Sequence, residues 1–127
     1  MGLILSGNLH DEEKENPQNN GWFMGHFIKE PAFRNRHVEV KWSTHKKGWA
    51  KGFVAANKQS RSLSVLISGR FVIRFPDEKR EVTLSRPGDY CLFTEGVCHS
   101  SAASEESVVL TIRWPSIPDD VVTRGVC

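Results

Sequence analysis

The chain is short of cysteine, of long apolar runs and of charge of one sign, and each shortage excludes a class of protein. Three of the 127 residues are cysteines, Cys91, Cys98 and Cys127, so no disulfide framework is expected and reduced thiols are the simple interpretation. No apolar run approaches the roughly 20 residues needed to cross a bilayer. The net charge of +2 is too small for the clustered basic face that nucleic-acid binding requires.

The N-terminus also lacks the features of a secretory signal. Residues 1–6 form a short apolar patch without a basic start, and acidic residues follow from Asp11 to Glu15. We therefore expect a cytoplasmic protein with no membrane partner and no nucleic-acid partner.

Helical periodicity is absent as well, whereas short runs of strand character recur roughly every 8–12 residues, as in a β-sandwich or barrel. The runs cover residues 21–28, 38–42, 62–68, 70–75, 81–84, 90–93, 99–102 and 107–114. Turn residues separate them, so the sequence predicts a single all-β domain over residues 1–127. Its core is expected at about 22–115, with a mobile loop at 10–20 and a loose tail at 119–127.

The segment 87–99 resembles the second conserved motif of the cupins. Gly88, Gly96 and His99 fall in register with that motif, whereas Thr94 stands where the family usually has Pro and Ala103 where it has Asn. A tight turn at each of these glycines would use the positive φ that glycine adopts at no steric cost.

The run 63–75 resembles the end of the first cupin motif, in which a strand reaches a glycine turn, here Gly69, and a second strand returns. Together the two motifs extend the resemblance over about residues 38–115. They imply a cupin-type double-stranded β-helix, also called a jelly-roll barrel, whose closure hides the edges of its short strands.

The metal ligands that the family carries in its first motif are missing from the expected positions. Counted back from Gly69, those positions hold Ser62 in place of Glu, and either Ala56 with Lys58 or Ala55 with Asn57 in place of two His. Only His99 is retained, and one imidazole does not hold a divalent ion where three or four protein ligands are usual. We therefore expect no metal at the standard motif and no cofactor.

Six side chains are candidates for lining a pocket inside the barrel: His99, Trp42, Ser62, Ser64, His45 and His26. His99 would act there as a hydrogen-bonding group or general base, or else be a buried histidine bonded to a neighbouring backbone group. If His26, His45 and His99 met, three imidazoles would make a zinc-type or iron-type site in place of the lost ligands.

Three arginines alternate with apolar neighbours on strands, at positions 70, 74 and 113. Either one of them enters the barrel and holds a carboxylate with two hydrogen bonds, or all three belong to solvated strand faces.

Two functions remain open from the sequence. One is a small cupin of unassigned specific activity that binds a small molecule inside the barrel without a standard metal centre. The alternative is a metal-dependent cupin enzyme, a dioxygenase, isomerase or hydrolase, with an atypical site built on His99. A homodimer is expected in either case, because apolar residues occupy both faces of residues 62–75.

Overall fold

Ten short strands form the framework of the fold in a computed structural model that describes residues 2–123. The strands are β1 Trp22–Met24, β2 Glu39–His45, β3 Ala55–Asn57, β4 Arg61–Ser68, β5 Phe71–Phe75, β6 Arg80–Leu84, β7 Tyr90–Phe93, β8 Ser100–Ala103, β9 Ser107–Trp114 and β10 Val121–Thr123. The only helices in that range are α1, Leu9–Glu15, and a 3-10 turn, Pro17–Asn19. The all-β prediction is therefore confirmed.

The strands form two larger antiparallel sheets that share one core. The first has the order β1-β2-β9-β4-β7 and the second the order β6-β5-β8, while β10 pairs with β3 in a two-stranded ribbon. The buried apolar cluster takes side chains from both larger sheets, including Leu66 of β4, Ile73 of β5, Leu84 of β6 and Val109 of β9. The two sheets therefore pack face to face, with the core between them.

Within the five-stranded sheet, polar and apolar side chains occupy opposite faces over β2, β9 and β4. Residues paired in register share a face of a sheet. One face carries the aligned rows Glu39, Arg113 and Ser62, then Lys41, Thr111 and Ser64. The other face carries the aligned row Trp42, Leu110 and Val65. The polar face is the one turned toward the second sheet.

The three glycines expected at tight turns all have positive φ. The angles are +90° at Gly69, +94° at Gly88 and +80° at Gly96. Gly69 has a second requirement, because a Cβ there would overlap the carbonyl oxygen of Glu106 and the side chain of Ser107. The turn between β4 and β5 therefore depends on the absence of a side chain.

The expectation of a loop at residues 10–20 is wrong, because this segment contains most of α1 and the 3-10 turn. Asn8 caps α1 by accepting a hydrogen bond from the backbone of Asp11 at 3.1 Å. The Glu13 carboxylate accepts two bonds from Thr44 on β2, both at 2.8 Å. These bonds fix α1 against the outer face of the sheet. No helix within residues 2–123 is long and apolar enough to cross a membrane.

The tail from residue 119 onward is not loose where the structure describes it. The buried Asp120 carboxylate accepts hydrogen bonds from Gln59 and Ser60 backbone amides and from the Asn57 side chain. These contacts align β10 with β3. Residues 124–127 lie outside the described part of the chain.

The expectation of reduced thiols is wrong for Cys98, which is disulfide-bonded. Cys91 is a free, buried thiol that packs in the core cluster. Burial raises the pKa of this thiol, while Arg80 acts in the opposite direction. Cys91 is therefore a packing residue rather than a reactive group. Cys127 lies outside the described residues.

Candidate functional site

A cavity of about 260 Å³ lies inside the barrel, between the polar face of the five-stranded sheet and the second sheet. Its polar lining consists of Lys41, Ser43, His45, Lys51, Ser62, Ser64, His99, Ser101, Thr111 and Arg113. Its apolar lining consists of Trp49, Phe53, Phe71, Ile73, Phe93 and Val109. Polar groups that converge in a concave site are typical of ligand pockets.

Strand alternation places the polar groups of the cavity. Alternate residues of a strand point to the same face, so β2 contributes Lys41, Ser43 and His45 to the cavity. The segment that follows β2 then runs beside β8, where the Lys51 amide donates to the Ser101 carbonyl at 2.9 Å. This crossing brings Lys51 to the wall opposite Lys41.

Two of the cations in the cavity share an aromatic partner. The Lys41 Nζ lies 5.3 Å from the ring centroid of Trp22, and the Arg113 guanidinium carbon lies 4.5 Å from the same centroid. The negative face of an aromatic ring attracts cations. Trp22 therefore stabilises both charges from outside the cavity without cancelling either one.

Glu39 is the one carboxylate paired with a cavity cation within residues 2–123. Its Oε1 lies 3.6 Å from Nη1 of Arg113, and its Oε2 accepts a hydrogen bond from Ser116 at 3.2 Å. Burial raises the pKa of Glu39, and the attraction of Arg113 only partly opposes this shift. Arg113 keeps a buried Nε–H donor with no protein partner.

The two lysines titrate below their ordinary range. Burial, followed by repulsion from Arg113 and Lys51, lowers the pKa of Lys41 to about 8. Burial and Arg113 also lower the pKa of Lys51. Like charges confined in one partly buried space disfavour the ionised form.

His99 has a fixed position and a defined tautomer. Its backbone exchanges two hydrogen bonds with Ala55, at 2.8 and 3.0 Å, and its ring lies 4.3 Å from that of Phe93. The Nδ1 atom lies 3.1 Å from the Val97 carbonyl oxygen. Since a carbonyl only accepts, Nδ1 carries the proton and Nε2 of the neutral ring keeps a free lone pair. Burial, together with the neighbouring cations, lowers the pKa of His99 to about 4.

His45 occupies the aromatic part of the cavity. Its ring centroid lies 4.1 Å from that of Trp49 and 5.2 Å from that of Phe71, and its Nε2 lies 2.9 Å from the Ser43 hydroxyl. Burial and the charge of Lys41 lower its pKa to about 4. Both histidines of the cavity are therefore neutral at pH 7.

Four of the six pocket candidates are brought together: His99, His45, Ser62 and Ser64 all line the cavity. Trp42 does not, because it lies on the opposite face of β2 from Lys41 and Ser43. The sequence suggested that the apolar stripe of this strand faces inward, but α1 and neighbouring apolar side chains cover it from outside.

His26 lies outside the cavity and does not join the other two histidines. Its Nδ1 is 2.7 Å from the Ser116 hydroxyl. The same hydroxyl oxygen accepts a hydrogen bond from the His26 backbone amide at 3.0 Å. No group of three His, Cys, Asp or Glu side chains in the described residues is arranged to hold a metal ion.

The cavity residues do not fit a divalent transition metal. Of the family's ligand positions, those of His99 and Ser62 line the cavity, whereas residues 55–58 do not. Together with His45, whose Nε2 already lies 2.9 Å from the Ser43 hydroxyl, these positions offer fewer strong ligands than the three or four that are usual. The cations Lys41, Lys51 and Arg113 line the same space and would repel a metal ion.

Several cavity residues were missed from the sequence: Lys41, Lys51, Ser101 and Thr111. Lys41 could have been found, because it lies four residues before the pocket candidate His45 on the same strand and therefore points to the same face. Lys51 follows an irregular segment, so no strand period indicated its direction. Arg113, for which both an inward and a solvated position stayed open, points inward.

A larger groove of about 570 Å³ lies between the N-terminal arm, α1 and the segment around Phe27 and Phe33. Its walls include the exposed Leu5 and Phe27, and it is open to solvent. Polar groups do not converge on it from opposing sheets as they do in the barrel. We therefore place the candidate site in the barrel cavity.

The neutral histidines make stability dependent on pH. Their folded pKa of about 4 lies below the ordinary 6.5, so the unfolded chain binds protons more readily between these values. The contribution of the two histidines to the free energy of unfolding is therefore fully present above pH 6.5 and is lost as the pH drops toward 4. At pH 5 the loss is on the order of 2 kcal/mol for each imidazole. Urea unfolding at pH 8 and pH 5 measures the loss.

The variant His99→Gln keeps a hydrogen-bonding side chain but removes one of these titrating groups. It should lose less stability than the wild type between pH 8 and pH 5. An equal loss in both proteins would show that His99 does not contribute to the dependence.

Comparison with known proteins finds similarity in structure and not in sequence. No family model and no curated protein sequence matches the chain significantly. An uncharacterised conserved protein with a double-stranded β-helix domain from Klebsiella pneumoniae superposes with a TM-score of 0.61 at 14% identity, over 70% of this chain and 76% of the other.

Two further structures agree. KdgF from Halomonas sp. gives a TM-score of 0.59 at 20% identity, over 67% of this chain and 74% of that one. A cupin superfamily protein from Desulfitobacterium hafniense gives 0.55 at 18% identity, over 63% and 69%. Paired antiparallel sheets around a polar cavity, turns at the expected glycines and these superpositions together show that this chain has the cupin fold, a double-stranded β-helix.

Proposed function

We propose that this protein binds a small polar molecule inside its barrel, without a transition-metal centre of the kind that the standard cupin motifs build. The observation that carries the proposal is the convergence of ten polar side chains from opposing walls on one cavity of about 260 Å³. A fold alone does not define a function, so the proposal rests on this cavity.

The chemistry of the lining supports binding. The hydroxyl-bearing residues Ser64 and Thr111 are paired in register on adjacent strands, with Ser62 two residues before Ser64 on β4, and such groups fix the orientation of a polar ligand. Aromatic rings of Trp49 and Phe71, 6.2 Å apart and nearly parallel, form an apolar wall at one side. Phe53, half exposed, lines the cavity near its opening to solvent.

A cavity-filling substitution tests the proposal. Ser64→Leu adds two heavy atoms and removes a hydroxyl at a buried position of the lining, so it should weaken the binding of small polar compounds by about tenfold or more. The binding of a panel of neutral polyols, amides and small acids can be measured by NMR titration.

Ser68→Leu is the matched control, because Ser68 is on the same strand but exposed and away from the cavity. It should leave binding unchanged. Circular dichroism and thermal melting of both variants establish that they are folded. If no compound of the panel shows binding that Ser64→Leu weakens, the proposed function is wrong.

We also propose that the protein is a homodimer that pairs through the outer face of the five-stranded sheet. On β7 the side chains of Tyr90 and Leu92 are 67% and 47% exposed. They lie beside Val65 and Leu63 of β4 in register, so a continuous apolar surface faces outward. Such a surface favours a protein–protein contact, and a second copy presents an identical apolar face.

A charge on this surface should separate the two copies. Leu92→Glu would bury a carboxylate in the contact, so sedimentation at micromolar concentration should show a monomer where the wild type is a dimer. Thr83→Glu, at an exposed position of β6 in the other sheet, should leave the dimer intact. A wild-type protein that sediments as a monomer would contradict this proposal.

A further inference from the structure

The cavity gathers positive charge that the protein itself does not neutralise. Lys41, Lys51 and Arg113 all line this one cavity, and Lys41 and Arg113 both contact the ring of Trp22. Within residues 2–123, neither lysine has a carboxylate within 4.0 Å, and Arg113 has only Glu39 at 3.6 Å. Partly buried charges without partners are costly to the folded state.

Two details indicate a missing acceptor. The Nε–H donor of Arg113 is buried and has no hydrogen-bond partner, although buried donors are almost always paired. The carboxyl group of Glu39 is shared between Arg113 and Ser116. Glu39 can therefore supply at most one negative charge against the three cations of the cavity.

The same region offers an acceptor as well as donors. Among the described residues, Nε2 of His99 has no protein hydrogen-bond partner, and its lone pair is free because Nδ1 donates to Val97. His99 interacts electrostatically with all three cations, Lys51, Arg113 and Lys41. An acceptor near a cluster of cations suits a ligand that has an anionic group and a nearby O–H donor.

We propose, building on the ligand-binding function above, that the barrel binds a small hydroxycarboxylate. The carboxylate accepts hydrogen bonds from Lys41, Lys51 and Arg113, and the ligand hydroxyl donates to Nε2 of His99. The hydroxyls of Ser62 and Ser64 complete the contacts, as either donors or acceptors. The ligand supplies the negative charge that the cavity lacks.

Binding should be coupled to proton uptake. The charged and titratable groups that face Lys41 are Arg113, Lys51, Glu13, His45 and His99. A bound carboxylate adds an opposite charge, which raises the pKa of Lys41 above its value of about 8 in the free protein. The complex therefore takes up protons near pH 8, and affinity falls as the pH rises further.

Three ligands of nearly equal size separate the two recognition elements. Lactate has both the carboxylate and the hydroxyl, propionate lacks the hydroxyl, and lactamide lacks the charge. Dissociation constants are measured by NMR titration at pH 7 in buffer free of chloride, since inorganic anions compete. Lactate should bind at least about tenfold more tightly than lactamide, and severalfold more tightly than propionate.

Variants then assign the contacts. Lys51→Met should weaken lactate binding by about tenfold to a hundredfold, whereas Lys58→Met, at an exposed lysine outside the cavity, should not change it. His99→Phe should remove the preference for lactate over propionate. Calorimetry of lactate binding at pH 8 in buffers of different ionisation enthalpy should show proton uptake.

The outcomes distinguish this inference from the proposed function. If lactamide binds as tightly as lactate, or if Lys51→Met binds lactate like the wild type, the hydroxycarboxylate inference is overturned. Binding of neutral compounds that Ser64→Leu weakens would then leave the proposed function standing. If neither acids nor neutral compounds bind in the cavity, both proposals are wrong.

Discussion

The repulsion among Lys41, Lys51 and Arg113 is the constraint on which the rest of the site depends. Burial, reinforced by charges of one sign in the same cavity, lowers the pKa of the two lysines and of His45 and His99. The same repulsion opposes a divalent metal in the space where the cupin fold commonly places one. A site of this kind selects ligands that bring negative charge.

The protein tolerates this charge because of how the five-stranded sheet is oriented. Its polar face points into the barrel and its apolar face points outward, with α1 held over β2 by the hydrogen bonds that Thr44 donates to Glu13. The core that stabilises the barrel includes Leu66, Ile73 and Leu84. Ile73 and Phe71 belong both to this core and to the cavity wall, so the core also supports the site. The apolar outer face is the surface through which we propose dimer formation.

The sequence predicted the fold better than it predicted the site. The strands and the turns at the glycines 69, 88 and 96 depend on local backbone geometry. The alternation of apolar residues and the glycine positions therefore sufficed to predict them. Helix α1 was missed because the segment is polar and none of its residues is buried, whereas the bonds that Thr44 donates to Glu13 come from a distant part of the chain. Trp42 was assigned to the wrong face because apolar residues were expected inside, whereas here the outer face of the sheet is apolar. Lys51 reaches the cavity from the irregular segment between β2 and β3, where no strand alternation indicates which way a side chain points.

Metal analysis tests most directly the claim that a cationic cavity takes the place of a metal centre. The purified protein is incubated with Fe²⁺, Mn²⁺, Ni²⁺ or Zn²⁺, passed through a desalting column and measured by inductively coupled plasma mass spectrometry. The account predicts less than about 0.1 metal ion per chain, because the imidazoles of His45 and His99 among three cations are too few ligands to hold such an ion. One ion per chain, lost in His99→Gln, would contradict it.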